Sequence, residues 1–101
     1  MIILKTKEYD GWFRRLKDKA AKAKINARLR RIELTGEIIG DSKMIGDKVI
    51  ELRFNTGPGY RVYATSEKDK LIILLIGGDK SSQIADIAKA KHIAKEWRSE
   101  K

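Results

Sequence analysis

The fold is decided by the stretch from Glu51 to Gln83, which reads ELRFNTGPGYRVYATSEKDKLIILLIGGDKSSQ. Two segments, about 49–54 and 60–66, alternate between apolar and polar residues, and a third, 71–76, is apolar without interruption. Alternation is typical of strands with two different faces, whereas a continuous apolar run is typical of a strand that is covered on both faces. We therefore predict a β-hairpin followed by a central strand.

The predicted hairpin places charged residues together on one face of the sheet. With a loop of residues 55–59, its register pairs Phe54 with Tyr60, Arg53 with Arg61, and Glu51 with Tyr63. Alternation then points one set into the core (Leu52, Phe54, Tyr60 and Val62) and the other set to the opposite face (Glu51, Arg53, Arg61 and Tyr63). Two opposed arginines repel each other, and either Glu51 or a bound anion would offset that repulsion. Forked guanidinium groups suit phosphate best among anions.

The flanking segments predict one strand and three helices. A short strand is expected at Ile2–Leu4, followed by a helix capped by Thr6 whose apolar face comprises Tyr9, Trp12, Phe13, Leu16 and Ala20. A second helix is expected from about Lys24 to Gly36, with Ile25, Leu29 and Ile32 inward and Arg28, Arg30 and Arg31 largely outward. After a short extended piece near Met44 and the three strands, a final helix is expected from about Ser82 to Arg98, with the stripe Ile87, Ala90, Ala94 and Trp97.

The predicted order β-α-α-β-β-β-α indicates one α+β domain spanning residues 1–101, with helices on one face of a mainly antiparallel sheet. The absence of cysteine excludes disulfides, thiolate catalysis and zinc–thiolate sites. No run of 18 apolar residues is present, and the chain becomes charged after its first four residues, unlike a secretory signal. A cytoplasmic protein is expected, with no contact to a membrane.

The charge of the chain is basic and concentrated. Lys and Arg number 23 against 14 Asp and Glu, which gives a net charge of +9. Residues 14–31 contain nine of the basic residues and a single acid, Asp18. This field favours a polyanionic partner, either nucleic acid or an acidic protein segment, and the alternative is a basic surface that only solvates the protein.

Few residues elsewhere suggest chemistry. The GGDKSS segment is not a phosphate-binding loop, because Asp79 stands where that motif requires glycine before its lysine. Asp79, Ser81 and Ser82 would cap the last helix, or the backbone N–H groups of the two serines would bind an anion there. His92, the single histidine, falls away from the apolar stripe and is expected at the surface. No metal cluster or cofactor motif is present, and none is predicted.

The segments ELRFNTGPGYRVY and LLIGGDKSSQIADI, with the helical pattern WF…L…D…A…KI…RL…R, resemble the RelE/HigB family of type II toxin–antitoxin toxins. The closest likeness is to the branch of addiction-module killer proteins. The resemblance implies a RelE-like fold, in which a helical hairpin and a C-terminal helix pack on a curved, mainly antiparallel sheet. It also implies a ribosome-dependent mRNA endoribonuclease that needs no metal, because the ribose 2′-hydroxyl attacks its own 3′-phosphate.

Site residues follow from the same resemblance. Arg53 and Arg61 match the arginines that hold the scissile phosphate, and Lys80 matches the basic position after the next strand. Tyr63 would stack on a base or assist proton transfer, and Glu51 would be the base or would tether an arginine. The basic hairpin formed by the first two helices would lie against ribosomal RNA through Arg14, Arg15, Lys17, Lys22, Lys24, Arg28 and Arg31. Several relatives carry a catalytic tyrosine or histidine in a final strand or tail, where this chain has the helical KEWRSEK, so the general base is unassigned.

The implied partners are the ribosome with its message and a cognate antitoxin, a HigA-like helix-turn-helix protein from the adjacent gene. Two other functions remain open on the sequence. One is a ParE-like poison of DNA gyrase, against which the basic residues of the sheet argue. The other is a non-catalytic nucleic-acid-binding module that uses the basic hairpin alone.

Overall fold

The computed structural model describes residues 1–68 and 71–99. Its strands are β1 (Ile2–Lys5), β2 (Ser42–Met44), β3 (Val49–Arg53), β4 (Arg61–Glu67) and β5 (Leu71–Gly78). Its helices are α1 (Lys7–Arg15), α2 (Lys19–Thr35) and α3 (Gln83–Ser99), with a 3-10 turn at Lys80–Ser82 before α3. Among these helices, none is both long enough and apolar enough to cross a membrane.

The five strands form one sheet in the order β1-β5-β4-β3-β2. Strand β1 runs parallel to β5, and the other neighbours are antiparallel. The predicted hairpin register is confirmed, since Arg53 lies opposite Arg61 and Glu51 opposite Tyr63. The loop closes where the Phe54 N–H donates to the Tyr60 carbonyl oxygen at 2.9 Å.

The ends of the first two helices follow from their capping residues. Thr6 caps α1 as predicted, since its hydroxyl accepts a hydrogen bond from the Tyr9 N–H at 3.1 Å. Helix α1 ends at Arg15, and Ala20 is exposed beyond it, so the prediction that Ala20 belongs to the apolar face of this helix is wrong. Helix α2 begins at Lys19 rather than near Lys24, because the Asp18 carboxylate accepts from the Ala21 N–H at 3.0 Å and caps it. Gly36, with φ of 75°, ends α2 as expected.

The helices lie on both faces of the sheet, so the prediction that they share one face is wrong. Helices α1 and α2 cover the face of β3 that bears Leu52, whereas α3 covers the face that bears Val49. Strand β5 is buried on both sides, as its continuous apolar run predicts: Ile72 and Leu74 pack with α1 and α2, and Ile73 and Leu75 pack with α3. The charged face of the hairpin is therefore partly roofed by α3.

Two consecutive glycines allow both layers to approach the end of β5. A Cβ atom at Gly77 would overlap the indole ring of Trp12 in α1. A Cβ atom at Gly78 would overlap the Asp86 carboxylate and approach Ser82 on the α3 side. Each glycine thus removes a side chain from a different face of the strand, directly beside the segment that carries Lys80.

Candidate active site

A cleft of about 510 Å³ lies where the hairpin loop meets the segment after β5. It brings together three predicted site residues, Arg53, Arg61 and Lys80. The rest of its lining is Asp41, Phe54, Asn55, Gly57, Pro58, Gly59 and Tyr60. Because the three cations come from β3, β4 and the 3-10 turn, the sheet register and the turn after β5 together determine their spacing.

The two arginines share one carboxylate, which offsets their mutual repulsion. Arg53 Nε donates to Glu51 Oε1 at 2.8 Å, and Arg61 Nε lies 3.6 Å from Glu51 Oε2. The Glu51 side chain is fully buried, whereas those of Arg53 and Arg61 are 34% and 13% exposed. Arg61 is also anchored by its Nη1, which donates to the Gly59 carbonyl oxygen at 2.8 Å. Glu51 thus lies beneath the cleft and neutralises one of the three cations that line it.

Two neutral donors complete the surroundings of Glu51. The Tyr63 hydroxyl donates to Oε2 at 3.1 Å, and Gln83 Nε2 donates to the same oxygen at 2.9 Å. Burial alone would raise the pKa of Glu51, but the hydrogen bonds from Arg53, Gln83 and Tyr63 together hold that pKa below its ordinary value. The carboxylate is therefore ionised at neutral pH and already engaged on both oxygens.

Tyr63 is placed beneath the cleft and not within it. Its side chain is fully buried, and it packs with α3. Burial, and next the negative charge of Glu51, raise the pKa of its phenol. Tyr63 therefore offers no ring face to a base, and a stacking role does not fit its position.

The turn after β5 supplies the third cation. Lys80 is exposed, and the preceding Asp79 caps the turn by accepting from the Ser81 N–H at 2.8 Å. The capping interpretation of this segment is confirmed, and the Ser82 N–H is also used, since it donates to the Asp79 carbonyl oxygen at 3.3 Å. Hydrogen bonding by Ser81 lowers the pKa of Asp79. These two N–H groups are therefore satisfied within the turn.

Most of the basic residues predicted to contact RNA are exposed on the helical hairpin: Arg14, Arg15, Lys17, Lys24 and Arg31. Lys22 is half-buried, with its ammonium group 5.2 Å from the centre of the Phe13 ring. They surround α1 and α2 rather than lining the cleft.

Arg28 is not outward as predicted. Its Nε donates to the Ile39 carbonyl oxygen and its Nη2 to that of Asp41, both at 2.8 Å, while Nη1 donates to the Arg53 carbonyl oxygen. The guanidinium group also lies over the Phe54 ring, 4.9 Å from its centre. All three nitrogens are used internally, so Arg28 joins α2 to the strand that carries Arg53 and does not offer a free cation to RNA.

Gln83 is the site residue that the sequence analysis missed. It is the first residue of α3 and the direct partner of Glu51. Its signal in the sequence is weak, because a glutamine in the first turn of a helix usually suggests capping alone.

The part of the chain that the structure describes contains no set of side chains suited to bind a metal ion. Within residues 1–68 and 71–99, no group of three or more His, Cys, Asp or Glu side chains is placed to hold a metal ion. His92 is exposed as expected and lies 2.9 Å from Glu96 on the surface of α3.

The Glu51 network gives the stability of the protein a defined response to acid. A carboxylate whose pKa is lowered on folding contributes stability above its unfolded pKa, and that contribution is lost as pH falls through the folded pKa. In urea unfolding from neutral pH to about pH 3, we expect wild type to lose more stability on acidification than Glu51→Gln does. Below pH 4.5, the ordinary pKa of a glutamate, the difference in stability between the two proteins should therefore shrink.

The matched control for acidification is Glu33→Gln, which removes a carboxylate from a surface ion pair with Arg30. The arrangement of charges described for Glu51 would be contradicted if the difference in free energy of unfolding between wild type and Glu51→Gln stayed constant or widened as the pH falls.

Residues 11–98 match the family described as phage derived protein Gp49-like (DUF891). An uncharacterized protein of Haemophilus influenzae is 47% identical over 91 residues, which cover 90% of each chain. One chain of the intact E. coli RelBE toxin–antitoxin complex has a TM-score of 0.63 and 11% identity, and the match covers 77% of this chain and 94% of that one. At this identity the structural match concerns the fold, and it confirms the RelE-like α+β architecture.

Proposed function

We propose, since the chain belongs to the family of phage-derived Gp49-like proteins and has a RelE-like fold, that it is the toxin of a toxin–antitoxin pair and cleaves messenger RNA on the ribosome. The observation that carries the nuclease is the cleft where Arg53, Arg61 and Lys80 converge above the buried Glu51. Even with Asp41 counted in the lining beside the buried Glu51, the three cations outnumber the two carboxylates, and the remaining positive charge matches a phosphodiester.

The proposed reaction is an intramolecular transfer within the RNA. The ribose 2′-oxygen loses its proton and forms a bond to the adjacent phosphorus, and the bond from phosphorus to the 5′-oxygen of the next nucleotide breaks. That oxygen takes up a proton, so the products are a 2′,3′-cyclic phosphate and a 5′-hydroxyl end. The chain has to supply orientation and charge rather than a nucleophile of its own.

The three cations divide this work. Arg61, which is held by Glu51 and by the Gly59 carbonyl oxygen, would stabilise the charge that builds on the pentacovalent phosphorus. Arg53, fixed at its Nε by Glu51, would orient the phosphate with its remaining N–H groups. Lys80, exposed at the edge of the cleft, would neutralise the departing oxygen or the neighbouring phosphate. The group that removes the 2′ proton is not among the residues assigned a role.

The cleft favours the nuclease over the two other functions. A gyrase poison has no need of converging cations on its sheet, and a purely basic binding module would need only the helical hairpin. In this chain the convergence requires a buried acid, Glu51, beneath two opposed arginines, an arrangement that stability alone does not favour.

The proposed partners follow from the same reading. The RelBE complex contains a toxin with its antitoxin, and we extend that pairing to this chain with a HigA-like helix-turn-helix antitoxin from the adjacent gene. The exposed basic residues that would lie against ribosomal RNA are Arg14, Arg15, Lys17, Lys24 and Arg31, and Arg28 is excluded because its donors are used internally. The reaction would take place in the cytoplasm, where ribosomes engage messages.

The test of the proposal is a reconstituted translation reaction in which new 5′ ends on the message are mapped. We expect cuts within codons only when ribosomes are present, with 5′-hydroxyl ends and 2′,3′-cyclic phosphates on the upstream products. The matched control is the same reaction with message and protein but without ribosomes. An intact message in the presence of folded, growth-inhibiting protein would overturn the nuclease, and a supercoiling assay with purified gyrase would then test the poison.

A further inference from the structure

Gln83 contacts the buried Glu51 from outside the cleft. It is half-buried at the start of α3, and its Nε2 reaches under the cleft to Glu51. Gln83 does not line the cleft itself, so it acts on a bound phosphate only through other side chains.

The two oxygens of Glu51 have different surroundings. Oε1 accepts from Arg53 Nε at 2.8 Å, which is a full hydrogen bond. Oε2 accepts from both the Tyr63 hydroxyl and Gln83 Nε2, so two neutral donors match the two lone pairs of this oxygen in number. Arg61 Nε lies 3.6 Å from Oε2, which is an ion pair longer than a hydrogen bond.

Arg61 is consequently restrained by charge without being bonded to the carboxylate. Its Nε is buried and has no hydrogen-bond partner among residues 1–68 and 71–99, although an ionised acceptor lies close by. A buried donor without a partner costs free energy, so Arg61 would bond to Oε2 if one of the neutral donors left that oxygen free. The present arrangement keeps the guanidinium group in the lining of the cleft.

We infer that Gln83 is a positioning residue: together with Tyr63 it occupies Glu51 Oε2, and so keeps Arg61 from being drawn into a hydrogen bond with that carboxylate and away from the phosphate. This inference rests on the proposed function, because it concerns the orientation of Arg61 toward RNA. It also assigns Glu51 as the tether of the two arginines. A general base must reach the proton that it removes, and Glu51 is fully buried with both oxygens engaged.

The first variant is Gln83→Met, which keeps the length of the side chain and removes its donor. Under single-turnover conditions on programmed ribosomes, we expect the maximal cleavage rate to fall about tenfold, because a misplaced catalytic group costs rate rather than binding. The protein concentration for half-maximal rate should stay within about twofold of wild type, since no ribosome contact is altered. The matched control is Asn26→Met, the same change at an exposed amide on α2, which should cleave as wild type does.

The second readout is independent of cleavage. In ¹⁵N NMR spectra of the isolated protein, we expect the Arg61 Nε–H signal to shift and its exchange with solvent to slow in Gln83→Met, because the group gains a hydrogen bond to Oε2. A loosened structure would instead make that exchange faster. Tyr63→Phe removes the other donor from the same oxygen and should change both readouts in the same direction, which keeps the test decisive if Gln83→Met does not fold.

The outcomes separate the two proposals. Slower cleavage with slower Arg61 exchange supports the inference. A wild-type cleavage rate in Gln83→Met overturns the inference while the nuclease stands, and Tyr63→Phe takes the place of Gln83→Met if that variant does not fold. Faster exchange of the Arg61 Nε–H group overturns the inference in the same way. If wild type itself cleaves no message, the proposed function fails, and unchanged Arg61 exchange in the folded variant then overturns the positioning role as well.

Discussion

Replacement of Arg61 by alanine is expected to lower the rate of the proposed ribosome-dependent cleavage by about 100-fold, the typical cost of removing one donor to a developing oxyanion. Arg61 is the more buried of the two arginines in the cleft, at 13% exposure, and it is held from the side by the Gly59 carbonyl oxygen. A guanidinium group fixed in this way is organised before the substrate arrives. Its loss should therefore reduce the maximal rate more than it reduces ribosome binding, as single-turnover cleavage and cosedimentation would measure.

The matched control for Arg61 is Arg30→Ala, which removes the same charge from the exposed side of α2. Arg30→Ala should retain the wild-type cleavage rate. Arg61→Lys separates charge from geometry: it keeps the cation over Glu51, but a single ammonium group cannot also bond to Gly59 and grip a phosphate in two places. Cleavage by folded Arg61→Ala within about threefold of wild type would sink the assigned role, since oxyanion donors contribute far more than that.

Replacement of Gly77 by alanine is expected to lower the free energy of unfolding by about 3 kcal/mol, near the upper end of the usual cost of overpacking. The added methyl group would meet the rigid indole ring of Trp12. That ring has little room to move, because it packs against Tyr9 and Phe13 with ring centres 5.8 and 6.3 Å apart. Urea unfolding measured by tryptophan fluorescence and circular dichroism would report the loss.

Gly11 provides the matched control for Gly77. It lies within α1, and a Cβ atom there would meet only the flexible end of Arg15, at 3.2 Å. Gly11→Ala should raise the free energy of unfolding by about 0.5–1 kcal/mol, because alanine is the better helix former. If Gly77→Ala proved as stable as wild type, the close approach of α1 to β5 would be wrong.

The register of the hairpin could be predicted because two local signals agree. Alternation fixes which residues of each strand share a face, and a loop of residues 55–59 fixes their offset, so the opposition of Arg53 and Arg61 follows from the sequence. The Thr6 cap and the stop at Gly36 were predictable for a similar reason, since each depends on one residue and its immediate neighbours.

The errors concern relations between distant segments. Helical periodicity gives the apolar face of α3 but not the side of the sheet that it covers, so the burial of Glu51 and Tyr63 could not be derived from the hairpin alone. The sequence places Arg28 on a solvated basic face, because it does not reveal that the acceptors of Arg28 lie on the backbone of other segments, including Ile39 and Asp41. Gln83 was missed because its partner is 32 residues away along the chain.

The pairing of β1 with β5 also bears on how the protein is made. The first strand, Ile2–Lys5, finds its parallel neighbour only at residues 71–74, so its partner is synthesised long after it. Contacts of such large sequence separation form late, because a long loop must close before they are made. When synthesis has just passed Arg61, the nascent chain still lacks β5, Lys80 and Gln83. The ribosome that translates this chain is therefore not exposed to a finished cleft until synthesis of the domain is nearly complete.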